Sequence, residues 1–373
     1  VKTILHCITD LSPDGAQRVL LRLVEQLPKN EFKSVIVTLV PGGHLTDRFV
    51  QAGAVVETLG MRRGVPGVRA LLRMRKHLLK YQPDVIQGWM YHGNLVATLG
   101  AAIARSKARL LWNIRRCLDA GAPDKFLTRL VIRGNALLSS WPEAIVYCVT
   151  AAADQHEAIG FDRTKRVVIP NGYDLTKLSQ HRPEHSALRA ELGLSQDAVV
   201  IGSVGRNHPQ KDYENLCRAA ADVVQKRPDA HFVVIGRGVD ESAENFQEWR
   251  RTLGLNGQLH LMGERQDLPQ LLPQLDLFCS SSANEGFSNV LAEAMASGVP
   301  CVATDIGASA ELLAELGRIV PVRDSKALAE GVLELIGTQP HARRELGMQG
   351  RRLIEERYTL QRMIGAYAAL YRR

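Results

Sequence analysis

The sequence predicts an α/β protein made of two successive domains, each a doubly wound parallel sheet flanked by helices. Three observations carry this expectation. The chain has 373 residues, whereas one core ordinarily accounts for ~100 to 200. Short apolar runs alternate with longer amphipathic stretches, and the alternation starts afresh near Ala198. Between the two patterned regions, PNGYDLTKLSQHRPEHS is polar and rich in turn formers, which puts the boundary near residues 170–195.

Taken in order, KTILHCI reads as a strand that buries both faces, as parallel strands do. A helix from about Ala16 to Leu27 follows, then strands SVIVTLV and VVETL, a helix from about Val68 to Leu79, strand DVIQGW and a strand before Arg115. The second round runs VVIGSVG, a helix through Leu216 to Val224, HFVVIG, QLHLMG, LDLFCS, a helix from about Ser288 to Ala296, and PCVAT. Residues 1–175 are assigned to the first domain and 190–357 to the second. A last helix, about 358–373, is expected to pack back on the first.

Composition narrows the function classes. Apolar residues make up 45% and charged residues 23%, a globular balance, and no apolar run approaches the ~20 residues of a membrane span. VKTILHCITDLSPDG lacks the cleavage pattern of a secretory leader, so a cytoplasmic location is expected. Six scattered cysteines without a CxxC pair read as reduced, structural thiols. Residues 1–180 hold 25 Lys/Arg against 14 Asp/Glu, and the rest 22 against 25, so the excess of +8 belongs to the front half. Such asymmetry points to an anionic partner there. Aromatics are only 5%, and no zinc-finger, helix-turn-helix or RNP-like pattern occurs, which disfavours nucleic acid.

Two segments carry chemistry. In LDLFCSSSANEGFSNVLAEAMASGVPCVAT a loop bears Glu285 and the following helix bears Glu293, about 12 Å apart if the rise were helical throughout. Two carboxylates so spaced suit a ligand with hydroxyls at both ends, with the amides near Phe287, Ser288 and Asn289 on phosphates between them. In VGRNHPQKD, Arg206 and Lys211 leave the carboxyl end of a strand and can hold a diphosphate, stabilising charge as it departs. The spacing is not that of a GxxxxGK[ST] loop, and GRGVDE at 236–241 is a poor dinucleotide fingerprint because Glu241 stands at its third glycine position. No DxD pair occurs, so no metal and no separate cofactor are expected.

Together these segments resemble the retaining GT-B glycosyltransferases of family 4, over almost the full chain. EGFSNVLAE resembles the family's E-x7-E motif, GRNHPQK its GR-x4-K motif and DIGASAEL the loop that follows. The resemblance implies two facing Rossmann-like domains with an interdomain cleft and a nucleotide-diphosphate sugar, UDP-linked by preference, mainly on the second. It implies that Glu285 contacts the transferred sugar, Glu293 the ribose, and Arg206 and Lys211 the diphosphate, with Gly286 in the same donor loop. Asn171, in IPNGYD, is expected at the cleft. In the first domain DGAQRVL is similar to the family's GGAERVL, so Gly15 is expected near the donor phosphate, although Asp14 and Gln17 replace the usual Gly and Glu. IQGWMYHGNL places His92 where the family has a histidine beside the reacting sugar, and Arg115 or Arg116 is expected to face the cleft.

The implied reaction is retaining and metal-independent, with a hexose or N-acetylhexosamine passing to a saccharide, lipid-linked by preference, in cell-surface polysaccharide synthesis. A nucleotide-sugar 2-epimerase and a phosphorylase are the rival enzymes of similar shape, and a nucleotide- or nucleic-acid-binding protein the rival outside catalysis. Arg69, Arg73, Lys76 and Lys80 share one helical face, with Val68, Leu71, Leu72, Leu78 and Leu79 on another. That basic face is the candidate for peripheral contact with the inner face of the cytoplasmic membrane.

Overall fold

The computed structural model describes residues 1–61, 67–118, 126–178 and 186–373, and the turn-rich stretch at 179–185 lies outside the described residues. The chain divides into two compact units, Val1–Asn171 with Gln361–Arg373, and Gly172–Leu360.

The first unit opens with β1 (Lys2–Ile8), α1 (Gly15–Gln26), β2 (Phe32–Thr38), α2 (Thr46–Gln51) and β3 (Val55–Thr58). It continues with α3 (Val68–Tyr81), β4 (Val85–Trp89), α4 (Met90–Ala104), β5 (Arg109–Ile114), α5 (Phe126–Leu138), β6 (Ala144–Tyr147), α6 (Thr150–Ala158) and β7 (Arg166–Val168). Its seven strands are all parallel, in the order β3-β2-β1-β4-β5-β6-β7. The second unit holds α7 (Ala187–Glu191), β8 (Val199–Val204), α8 (Tyr213–Lys226), β9 (Ala230–Ile235), α9 (Glu244–Thr252), β10 (Leu259–Leu261) and α10 (Leu268–Leu271). Then come β11 (Leu277–Ser280), α11 (Asn289–Ala296), β12 (Cys301–Thr304), α12 (Ser309–Leu313), β13 (Gly317–Val320), α13 (Ser325–Gly337) and α14 (Pro340–Arg357). Its six parallel strands run β10-β9-β8-β11-β12-β13.

The last helix, α15 (Leu360–Arg372), belongs to the first unit, and the sheet order explains why. The steps β3 to β4, β4 to β5 and β5 to β6 all run the same way across the sheet, so right-handed crossovers put α3, α4 and α5 side by side on one face. The steps β1 to β2 to β3 run the other way and put α1 and α2 on the opposite face. That leaves this second face of β4 and β5 uncovered, and α15 fills it. Tyr371 donates to Gln87 of β4, Asn113 of β5 donates to the Tyr367 hydroxyl at 2.7 Å, and Trp89 donates to His6 Nδ1 at 3.2 Å. At the rim, Lys2 donates to the Arg372 carbonyl at 2.7 Å and Arg372 pairs with Glu31.

Helix α3 departs from the expected packing. Ala70, Met74 and Leu78 are buried, while Val68, Leu72 and Leu79 are exposed. The reason is Gly100 of α4, where an added Cβ would lie 2.4 Å from Met74 Cγ: the missing side chain makes the socket for Met74 and sets the helix phase. All four residues of the basic face, Arg69, Arg73, Lys76 and Lys80, are exposed, while Arg73 donates to the Leu59 carbonyl at 2.6 Å and Lys80 pairs with Glu57 at 2.8 Å. All six cysteines are buried free thiols, and burial pushes those of Cys7, Cys217 and Cys279 up to about 12.

Candidate functional site

In the second unit the winding reverses at β8, which has β9 on one side and β11 on the other. Doubly wound sheets bind ligands beyond the carboxyl ends of the strands at such a reversal. The chain leaves β8 through residues 205–211 and β11 through 281–288, the two segments that sequence reasoning singled out.

These loops are held together. Lys211 pairs with Glu285, and the Ser282 hydroxyl donates to the same carboxylate at 3.2 Å. Ser281 donates to the Lys211 carbonyl at 2.8 Å, and the Ala283 amide to the Gln210 carbonyl at 2.8 Å. Gly205 gives the lysine its path: a Cβ there would lie 2.5 Å from Lys211 Cε and 3.0 Å from the Tyr213 hydroxyl. Tyr213 in turn donates to the Gly205 carbonyl at 2.8 Å, and burial raises its phenol well above the usual range. Arg206, next in sequence, is exposed at the rim.

Two further loops complete that rim. Gly236 approaches so closely that a Cβ would stand 1.9 Å from the Gly205 carbonyl oxygen. The Asn207 amide donates to the Arg237 carbonyl at 2.9 Å, so GRGVDE, though no dinucleotide fingerprint, braces the basic loop. Gly307, in DIGASAEL, has φ 51° and leaves 2.1 Å between its missing Cβ and the Glu285 carbonyl oxygen. Only glycine tolerates both the conformation and the approach.

Helix α11 then starts at Asn289 with Ser288 as its N-cap, no acid in its first turn and Glu293 half-buried one turn on. The unsatisfied amides of its first turn favour negative charge. Phe287 is buried against Tyr173 and Tyr358, and the Tyr173 hydroxyl donates to Asn289 Oδ1 at 2.8 Å. The structure thus brings Lys211, Glu285, Gly286, Phe287, Ser288 and Asn289 together at one sheet end, with Arg206 at the edge and Glu293 on the helix behind.

The remaining candidates lie in the first unit, which reverses at β1 between β2 and β4. Gly15 opens α1 after β1, with open space where a Cβ would be. His92 lies in the first turn of α4 after β4, and burial pushes its imidazole below the ordinary value, so it is neutral near pH 7. Gly93 lets that turn sit on β1, a Cβ there falling 2.4 Å from the Cys7 carbonyl oxygen. Asn171 is buried at the end of the unit and accepts from Arg115, whose Nη1 also donates to the Ile169 carbonyl at 3.0 Å and the Tyr367 hydroxyl at 3.1 Å. Arg115 is therefore a brace between the sheet end and α15.

Sequence reasoning missed Ser282, Gly205, Gly236, Gly307 and Tyr213. The glycines were visible as letters, but their purpose is a close approach between loops far apart in the chain.

Comparison with known proteins falls on the same two halves. Residues 13–177 match the family described as Glycosyltransferase Family 4, and residues 198–338 match Glycosyl transferases group 1. A phosphatidyl-myo-inositol mannosyltransferase of Mycobacterium leprae is 31% identical over 340 residues, 87% of this chain and 84% of that protein. The Escherichia coli UDP-Gal:alpha-D-GlcNAc-diphosphoundecaprenol alpha-1,3-galactosyltransferase is 27% identical over 317 residues, 78% of this chain and 76% of its own. In structure, Anabaena Alr3699/HepE, solved in complex with UDP, superposes with a TM-score of 0.84 over 99% of both chains at 22% identity.

Proposed function

The chain belongs to the group 1, family 4 glycosyltransferases, a GT-B family, and from that premise we propose that it moves a hexose or N-acetylhexosamine from UDP to a lipid-linked saccharide, with retention and without a metal. One observation carries the donor assignment: Lys211 and Glu285 meet beside the N-terminus of α11 at the β8/β11 reversal, with Arg206 at its rim. The UDP form draws support from the donor named for the E. coli relative and the UDP held by the Anabaena protein. The lipid-linked acceptor draws on the diphosphoundecaprenol and phosphatidylinositol named for two relatives, and with that acceptor we propose a cytoplasmic enzyme working at the inner face of the membrane.

In this reading Lys211 and Arg206 neutralise the diphosphate as the bond from C1 to the β-phosphate oxygen breaks and the electron pair leaves with the phosphate. The α11 amides and the Gly286–Ser288 loop hold the same group, Glu293 the ribose hydroxyls and Glu285 a hydroxyl of the sugar. The acceptor oxygen attacks C1 from the face the phosphate leaves, and its proton passes to that phosphate, so no protein nucleophile is needed. The first unit serves the acceptor, with neutral His92 orienting a hydroxyl and Gly15 offering a backbone amide at the start of α1.

The test is thermal unfolding with UDP, GDP, ADP and their hexose and N-acetylhexosamine conjugates, with and without EDTA. A UDP ligand at 100 times its Kd adds about 2.7 kcal/mol. Lys211→Ala and Glu293→Ala are expected to abolish that gain, and EDTA to leave it and turnover intact. Stabilisation by GDP alone would overturn the donor, loss of turnover in EDTA the metal independence, and a product of inverted anomeric configuration the retention.

A further inference from the structure

The turn that carries His92 is held more tightly than the end of a strand requires. Met90, where β4 passes into α4, has φ 61°, a left-handed conformation that opposes any residue with a Cβ. Such a residue persists where its surroundings over-determine it, and here they do. The Arg115 amide donates to Met90 Sδ at 3.3 Å. Gly88 lies so close to the next turn of α4 that a Cβ on it would fall 2.5 Å from Asn94 Cα, and Gly93 closes on β1 in the same way. Among the described residues nothing hydrogen-bonds the His92 ring, so its aim depends on the backbone beneath it.

Buried polar groups on two other helices hold that backbone. Asn135, fully buried on α5, donates through Nδ2 to the Tyr91 carbonyl at 3.1 Å, and this carbonyl belongs to the peptide that joins Tyr91 to His92. The same nitrogen also donates to the Val131 carbonyl at 2.7 Å, one turn back on α5. Asn135 Oδ1 has no hydrogen-bond partner among the described residues. A buried acceptor left unpaired opposes folding, and an apolar side chain would bring none, so the packing of α5 on α4 does not account for an asparagine. From the other side the Tyr91 hydroxyl meets His156 Nε2, on α6, at 2.8 Å. His156 Nδ1 lies 2.6 Å from the Ala152 carbonyl, which can only accept, so the proton sits on Nδ1 and Nε2 accepts from the tyrosine. Burial pushes that imidazole down to about 4, so it stays neutral and keeps this role near pH 7. Phe161 stands edge-on to it, with ring centroids 5.1 Å apart. We propose that Asn135 and the pair of Tyr91 with His156 are positioning residues: they fix the peptide between Tyr91 and His92, hence the Cα–Cβ direction of His92, and so point its ring at the acceptor hydroxyl. The inference rests on the acceptor-orienting role of His92, but the aim of the ring is measured without donor or acceptor.

The experiment is NMR of the full chain with its histidines ¹³C-labelled at Cε1, the His92 signal being assigned by its absence from His92→Ala. Alongside it, UDP release from UDP-glucose with water as acceptor reads turnover. The wild type is expected to show one sharp His92 signal that titrates below 6.5. Asn135→Ala leaves both carbonyls their helical partners, so it is expected to melt near the wild-type temperature. It is expected to broaden or split the His92 signal and move its midpoint up toward 6.5. Its kcat is expected to fall about tenfold with KM for UDP-glucose unchanged, and that of Tyr91→Phe about threefold. His156→Gln, whose side-chain carbonyl can accept from the tyrosine, is expected to keep more turnover than His156→Leu. In a His92→Ala background Asn135→Ala is expected to lower kcat no further. A wild-type His92 signal and kcat in Asn135→Ala overturn the proposal, and so does an equal loss in both backgrounds, which would assign the asparagine to the fold. Wild-type turnover by His92→Ala removes the role of His92 and this inference with it, whereas an impaired His92→Ala beside an unimpaired Asn135→Ala removes this inference alone. If the wild type releases no UDP, the His92 signal decides by itself.

Discussion

At the scale of single residues, the donor end of the second unit depends on what glycines leave empty. Gly205→Ala would push a methyl into the stem of Lys211, a flexible chain that can yield, so its effect falls on the position of the ammonium rather than on the fold. We expect kcat/KM to fall about 10- to 100-fold, with the melting temperature nearly unchanged. Gly236→Ala meets backbone instead, with no room to yield, and is expected to cost more than about 2 kcal/mol of stability by calorimetry. If both variants lose only stability, the lysine channel has no bearing on turnover. The individual residues at this end, Arg206, Lys211, Glu285 and Glu293, were legible because they stand in dense, ordered motifs. The ion pair between Lys211 and Glu285 was not, because it joins loops 74 positions apart that only the β8 to β11 adjacency brings together.

At the scale of elements, α15 holds the first unit through polar contacts in an otherwise dry place. Tyr371 is fully buried with its hydroxyl on Gln87, so Tyr371→Phe leaves an unsatisfied acceptor beneath the helix. A loss of about 1 to 3 kcal/mol is expected, read as a lower denaturant midpoint with unchanged m-value. A wild-type midpoint would mean that water replaces the hydroxyl. The strand and helix succession was readable because parallel strands buried on both faces produce unbroken apolar runs. The phase of α3 was not, because VRALLRMRKHLLKY carries apolar residues around much of its circumference, and the choice fell to Gly100 on a different helix.

At the scale of the whole molecule, burial of neutral histidines links stability to pH. Burial pushes His6 down to about 3, and His156 and His260 down to about 4, from an ordinary 6.5. In the unfolded chain each binds a proton below pH 6.5 that the fold refuses, so the unfolded state gains as pH falls. The melting temperature is expected to hold above pH 6.5 and to decline between pH 6.5 and about 4. His260→Asn, at the least buried of the three, is expected to flatten that decline, and an unchanged slope would assign it to carboxylates alone. The doubly wound architecture of both halves was legible in advance, since two rounds of one rhythm leave little else to build. What the rhythm does not convey is that the first sheet is finished by the last helix, and this matters during synthesis. When the ribosome has completed Asn171, the face of β4 and β5 with Gln87 and Asn113 still lacks its cover, and the missing piece is about 190 codons away. At ~5 to 20 residues per second the nascent first unit waits roughly 10 to 40 seconds with that face open, a window in which a chaperone is its natural cover.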